Sequence, residues 1–224
     1  MNVLVKYGVG GDVMLFLGPF YSWIAGRMAS TVNHWPLIRL IVYSVDKTIL
    51  YALIFIALRI IWLLFKRDRP RWSHELALLV FVTYLILLLA LTVFRGAHLY
   101  YPWDIHPDWG RSTNVINLRP LAGSLQLFHA TSRLDFYYQT IGNVLWFMPL
   151  GLLWPMLGRW GHRWFGTAVF SLALSLSIEC WQFLLATGIA DIDDVIFNFV
   201  GGMVGYAVYQ LLRGAIRMFR HTRT

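Results

Sequence analysis

The chain has 224 residues, of which 58% are hydrophobic and 13% are charged, and its mean hydropathy is +0.58. This composition is too apolar for an ordinary soluble domain and indicates an integral membrane protein. The formal net charge is +8, but the basic residues concentrate in short segments between apolar runs. The lipid bilayer is therefore the predicted partner, and no nucleic acid is expected.

Five stretches are long and apolar enough to cross a membrane, which requires about 20 residues each. Their approximate ranges are 39–65, 74–94, 139–157, 164–186 and 192–212. Residues 13–29 leave only a short uncharged run between Asp12 and Arg27, which favours an interfacial or re-entrant helix over a sixth span. The predicted fold is an all-α membrane protein, with a bundle of about five transmembrane helices and this N-terminal helix.

Basic residues in the short connections predict how the spans are oriented. They follow the first, third and fifth spans: Lys66, Arg67, Arg69 and Arg71, then Arg159 and Arg163, then Arg213, Arg217, Arg220 and Arg223. All three groups fall on one side if five helices cross, so that side and the carboxyl terminus are predicted to be cytoplasmic. Residues 95–138 and the turn at 187–191 then lie outside the cell membrane.

The same reasoning divides the chain into three parts. Residues 1–73 hold the interfacial segment and the first transmembrane helix, 74–212 form the main transmembrane domain, and 213–224 form a basic cytoplasmic tail. In the first span, Asp46 and Lys47 are predicted to find partners inside the bundle, because ionisable groups at membrane depth are costly.

Polar residues of the outer loop and third span form two further motifs. Asn117-Leu118-Arg119-Pro120-Leu121 predicts a fixed turn, because proline restricts the residue before it. In the third span, Asn143 either places an amide opposite the acidic residues of later helices or makes a single interhelical hydrogen bond.

The stretch from Glu179 to Gly205 carries four carboxylates, Gln182 and Asn198 within two apolar segments. Each ionisable group at membrane depth costs roughly 2.5–3.5 kcal/mol, so this cluster is the predicted working site. Glu179 and Gln182 share one helix face, which suits either a polar substrate or an internal hydrogen-bond network. A second face is predicted from residues spaced three and four apart: Asp191, Asp194, Asn198, Gly201 and Gly205.

The three aspartates Asp191, Asp193 and Asp194 lie where the fifth span begins, and capping of the helix explains one of them. Three carboxylates within four residues repel one another unless an arginine, another cation or protonation relieves them. The candidate arginines are Arg95, Arg111, Arg119 and Arg133. Oxygen ligands would suit Mg²⁺ or Ca²⁺, but the spacing matches no standard metal loop, so neither a metal nor a cofactor is predicted.

Four motifs in series resemble the VanZ-like family of membrane proteins. They are Asn117-Leu118-x-Pro120, Asn143-x-x-x-Phe147-x-Pro149-x-Gly151, Glu179-x-x-Gln182 and Asp191-x-Asp193-Asp194-x-x-x-Asn198-x-x-Gly201-x-x-x-Gly205. They follow the family's usual order and cover roughly residues 75–212. Thr187-Gly188-Ile189-Ala190 lacks the arginine usual before the acidic run, and Leu121 stands where Phe is usual. The resemblance implies a bacterial cytoplasmic-membrane protein with a role in resistance to teicoplanin-type glycopeptide or lipoglycopeptide antibiotics.

The predicted function is binding of an amphiphile, either a lipoglycopeptide or an envelope lipid precursor, at an outward-facing acidic site. The predicted site residues are Asn117, Arg119, Asn143, Glu179, Gln182, Asp191, Asp193, Asp194 and Asn198. The alternative is a membrane enzyme acting on a lipid-linked envelope intermediate, with one carboxylate as general base. Transport is less favoured, because the sequence shows no internal repeat. The sequence leaves the oligomeric state open.

Overall fold

The computed structural model describes residues 14–29, 31, 35–66, 70–95, 101–121, 133–158 and 161–221, without the side chains of 133–139, 220 and 221. Six α-helices carry the fold within these ranges: α1 (Gly18–Met28), α2 (Trp35–Lys66), α3 (Trp72–Thr92), α4 (Arg133–Leu157), α5 (Trp164–Leu184) and α6 (Ile192–His221). Two 3₁₀ turns, Pro102–Asp104 and Thr113–Val115, precede α4. The predicted all-α fold is confirmed.

The helices α2 to α6 are long and apolar enough to cross a membrane, which confirms the five predicted spans of a multi-pass membrane protein. Helix α1 has 11 residues and is about 16 Å long, too short for a hydrocarbon core of about 30 Å. Helix α6 continues nine residues past the predicted end at residue 212, because arginines end the apolar run without ending the helix.

The chain divides into two compact units, one within residues 1–69 and 82–107 and the other within 70–81 and 108–224. In the first unit, Tyr21 and Ala25 of α1 share a buried cluster with Trp35 and Val42 of α2. These units cut across the three parts expected from the sequence, which stay a prediction.

Asp46 and Lys47 both have partners inside the first unit, as predicted. The wholly buried carboxylate of Asp46 accepts the backbone N–H groups of residues 15, 16 and 17 at 2.9, 2.8 and 2.7 Å. These groups belong to the segment that leads into α1, whose N-cap is Leu17, so Asp46 anchors the entry to this helix. Lys47 Nζ donates to the carbonyl oxygen of Phe94 at 2.8 Å.

Glycines bring α4 and α6 into backbone contact in the second unit. A β-carbon built on any of three glycines would overlap a carbonyl oxygen of the facing helix: Gly151 with Gly202, Gly201 with Val144, and Gly205 with Met148. Small residues allow this close approach between membrane helices. The predicted packing face Gly201-x-x-x-Gly205 is confirmed, and its partner is α4.

Candidate functional site

A short parallel backbone pairing joins the start of α6 to the segment that precedes α4. The N–H of Asn117 donates to Ala190 at 2.9 Å, and the N–H of Ile192 donates to the carbonyl oxygen of Asn117 at 3.0 Å. Asn117 Nδ2 also donates to Asp191 Oδ2 at 3.0 Å. Asn117 is therefore fixed beside the first turn of α6 by both its backbone and its side chain.

Asp191 is the centre of the hydrogen bonds at this end of α6. Its backbone N–H donates to Glu179 Oε2 at 3.0 Å, which links the last turns of α5 to the start of α6. Its Oδ1 accepts the N–H of Asp193 at 2.9 Å, the contact of a helix N-cap. Capping thus explains Asp191, which lies just before the helix rather than on its polar face.

Asp193 holds the turn that the sequence predicts after Asn117. Its side chain is buried, and its Oδ1 accepts the N–H of Leu121 at 2.5 Å. Leu121 has a φ of 60°, in the left-handed region that side chains other than glycine adopt rarely. Asn117 Oδ1 accepts the N–H of Arg119 at 3.2 Å, so aspartates and Asn117 together fix the turn.

Two side-chain amides connect α6 to its neighbouring helices. Asn143 Nδ2 in α4 donates to Asp194 Oδ1 at 2.6 Å, so the predicted interhelical hydrogen bond does place an amide opposite an acidic residue. Farther along α6, Asn198 Nδ2 donates to Ser175 Oγ of α5 at 2.9 Å, and both side chains are buried. Asn198 therefore packs inside the unit rather than at the end of the helix.

A polar stripe on α5 was missed by the sequence reasoning. Its members recur every four residues and are all buried: Thr167, Ser171, Ser175 and Glu179. Gln182 is also buried, and its side chain lies against Gly188 of the α5–α6 turn. The regular spacing of hydroxyl groups along one face of an apolar span is the signal that identifies this stripe.

Arg111 reaches the α5–α6 turn that lacks the expected arginine. Its guanidinium donates to the carbonyl oxygens of Gln182 at 3.2 Å, Phe183 at 2.6 Å and Gly188 at 2.9 Å. It also lies over the Phe183 ring, with Cζ 5.1 Å from the centroid. A cation is favoured at a helix C-terminus, so this arginine stabilises the end of α5 through carbonyl groups.

The other candidate arginines have different surroundings. The side chain of Arg119 is exposed, and that of Arg133 lies outside the described residues. Arg95 belongs to the first unit, where its Nε donates to Leu91 at 3.1 Å. The hydrogen bonds described above to Glu179, Asp191, Asp193 and Asp194 come from side-chain amide groups and backbone N–H groups. Within the described ranges, no three His, Cys, Asp or Glu side chains are grouped to hold a metal ion.

We predict that Arg111→Gln destabilises the second unit by about 2 kcal/mol, because hydrogen bonds from a charged donor are stronger than those from a neutral amide. Thermal unfolding in detergent measures this loss, and hydrogen exchange should rise at residues 185–190. Arg119→Gln is the matched control, since it removes the same charge from an exposed position. Equal effects of the two substitutions would contradict a specific role for Arg111.

The end of α5 carries a second testable feature at Ala186. The N–H groups of Ala186 and Thr187 donate to Phe183 and Gln182 at 3.2 and 3.1 Å, which is the Schellman pattern, and Ala186 has a φ of 53°. We predict that Ala186→Gly stabilises the protein by roughly 0.5–1 kcal/mol, because glycine adopts this conformation without steric cost. The control is Ala190→Gly, which should lower the melting temperature because Ala190 does not have a positive φ. A lower melting temperature for both variants would contradict a steric cost at Ala186.

A family model described as VanZ/LLP1 matches residues 81–213, which is more than half of the chain. The chain belongs to the VanZ/LLP1 family. All nine predicted site residues and all four motifs lie within the matched range of this VanZ/LLP1 protein. The membership predicted from the motifs is confirmed.

Protein VanZ of Enterococcus faecium is 37% identical to this VanZ/LLP1 family member over 98 residues. The aligned region is 44% of this chain and 58% of the relative, so the chain spans less than two thirds of that protein. No solved structure matches the chain.

Proposed function

We propose that this VanZ/LLP1 family member acts in resistance to teicoplanin-type glycopeptide antibiotics by binding the amphiphilic antibiotic, or an envelope lipid, at its acidic site. The observation that carries the proposal is the meeting of Glu179, Asp191, Asp193 and Asn117 in one hydrogen-bonded network where α5 ends and α6 begins. Carboxylates at the ends of two membrane spans are costly, and the two that are partly exposed, Asp191 and Asp194, can accept hydrogen bonds from a polar ligand.

The surroundings of this network suit a ligand with a polar head and an apolar tail. Large apolar side chains stand exposed beside the network residues in the chain: Leu118, Leu121, Trp181 and Ile189. In the proposed complex, the carboxylates meet amine or amide groups of the ligand, and the apolar side chains contact its acyl chain. Ligand sites commonly combine apolar walls with a few placed polar groups.

The carboxylates divide by exposure into two proposed roles. Asp191 and Asp194 are partly exposed, so these two would contact the ligand. Glu179 and Asp193 are 6% and 3% exposed and hold backbone N–H groups of the two connecting segments. They would position the site rather than touch the ligand. The outward orientation inferred from the basic connections would let a ligand enter from the outer leaflet.

The test measures the teicoplanin concentration that inhibits growth of a susceptible host expressing each variant at equal level. Asp191→Asn and Asp194→Asn remove one charge each while keeping size, and we expect each to weaken ligand binding by about tenfold and to reduce protection. Asp108→Asn is the matched control, because the exposed Asp108 carboxylate accepts the N–H of Gly110 in its own turn, and the substitution leaves the backbone unchanged. Normal protection by both site variants at normal expression would refute the proposal.

A binding measurement separates recognition of the whole amphiphile from recognition of the peptide core. The purified protein in nanodiscs should bind fluorescent teicoplanin more tightly than a glycopeptide that lacks the acyl chain, and Asp191→Asn should weaken the binding of both. Equal affinity for the two compounds would remove the proposed role of the apolar side chains.

A further inference from the structure

Helix α6 is longer than a membrane core requires. Its 30 residues extend about 45 Å, whereas the hydrocarbon core is about 30 Å thick and the bilayer with its headgroups about 40–45 Å. A helix that enters the hydrocarbon core at Ile192 therefore leaves it at about residue 212. Residues Arg213 to His221 then lie at the depth of the headgroups.

This last part of α6 has two different faces. Arg213 and Arg217 are four residues apart, so they share one face of the helix. A neighbouring face carries exposed apolar side chains spaced four and three apart: Leu212, Ile216 and Phe219. A helix segment with one basic face and one apolar face is typical of the membrane interface.

The turn between α4 and α5 is fixed to the same end of α6. Tyr206 Oη donates to the carbonyl oxygen of His162 at 2.9 Å, and Tyr209 Oη is hydrogen-bonded to His162 Nδ1 at 2.9 Å. Arg163 and Trp164 follow directly, and both side chains are exposed. This arrangement adds a third arginine and an aromatic residue of the kind that favours the headgroup level.

We propose that Arg163, Arg213 and Arg217, here called the basic end, bind the phosphate headgroups of anionic phospholipids. Arginine suits this ligand because its planar guanidinium donates two parallel hydrogen bonds to phosphate oxygens. The acidic network lies at the opposite ends of α5 and α6, so the basic end is separate from the proposed antibiotic site.

The experiment uses the full-length protein with equal amounts of phosphatidylglycerol and phosphatidylcholine of identical acyl chains, so that only the headgroups differ. Native mass spectrometry counts the bound molecules of each lipid. Each basic residue near an anionic surface strengthens binding by roughly fivefold, so the double variant Arg213→Gln/Arg217→Gln should lose most of the preference for phosphatidylglycerol. The variant Arg213→Lys/Arg217→Lys should keep part of it.

The control variant Arg27→Gln/Arg95→Gln removes the same two charges from exposed positions of the first unit. This control variant should retain the preference for phosphatidylglycerol over phosphatidylcholine, because it keeps the basic end. If the double glutamine variant does not fold, Arg163→Gln at the turn provides the same comparison. An unchanged preference without the basic end, or an equal loss in the control, overturns the proposal.

Discussion

Gly205→Ala is expected to destabilise the protein by about 3 kcal/mol, although alanine is normally the better helix former. The added β-carbon would overlap the carbonyl oxygen of Met148, which belongs to the backbone of α4 and cannot turn aside as a side chain can. The two helices must therefore separate or tilt. Thermal unfolding in detergent, followed by far-ultraviolet circular dichroism, measures the loss.

Two glycines of the same helices provide controls with the opposite expected sign. Within the part of the chain that the structure describes, Gly142 in α4 and Gly214 in α6 have no atom within 4 Å of a built β-carbon, other than their own helix and chain neighbours. Gly142→Ala and Gly214→Ala should each stabilise the protein by up to about 1 kcal/mol through helix propensity. A stabilising Gly205→Ala would show that α4 and α6 do not cross at this contact.

The helix crossing also positions the candidate site, which links packing to function. The Asn143–Asp194 hydrogen bond joins α4 and α6 about two turns of α6 before the contact of Gly201 with Val144. Separation of the helices would lengthen this bond. A double variant that combines Gly205→Ala with Asn143→Ala should therefore lose less stability than the sum of the two single losses.

Local sequence patterns were enough to predict the spans and several of the polar residues that join the hydrogen bonds at the start of α6. Hydropathy predicts α2 to α6 because each span must be apolar over about 20 residues. The spacing of Asp191, Asp193 and Asp194 marks the start of α6, because capping and the helix dipole act within one turn. The glycine pattern predicts a close contact on α6, but it does not name α4 as the partner.

The remaining contacts depend on segments that are distant in the chain. Asn117 pairs with Asp191 across 74 residues, and Arg111 reaches carbonyl groups of α5 across 71 to 77 residues. Neither contact has a periodic signal, because the partners lie in an irregular segment and a turn. The sequence predicted that an arginine would pair with the carboxylates, whereas Arg111 donates to backbone carbonyl oxygens. Every residue has such a carbonyl group, so the sequence gives no signal for this contact. No local pattern could distinguish these two outcomes.

Asp46→Ala is expected to release α1 from α2, with a local loss of about 2–4 kcal/mol. The carboxylate accepts three backbone N–H groups from the residues that lead into α1, and alanine would leave these donors without their acceptor. Asp46→Asn should have a smaller effect, because its amide retains one carbonyl oxygen as an acceptor but loses the charge that favours a helix N-terminus.

The release of α1 can be measured by labelling a cysteine placed at Ala25, which is buried against α2, in a Cys180→Ser background. The rate of reaction with a maleimide should rise strongly in Asp46→Ala and moderately in Asp46→Asn. Asp108→Ala is the control, since this exposed carboxylate accepts a backbone N–H of the second unit, that of Gly110. Equal labelling in Asp46→Ala and the parent would mean that apolar packing alone holds α1. The three hydrogen bonds would then not explain why the chain buries the costly carboxylate of Asp46 in a membrane span.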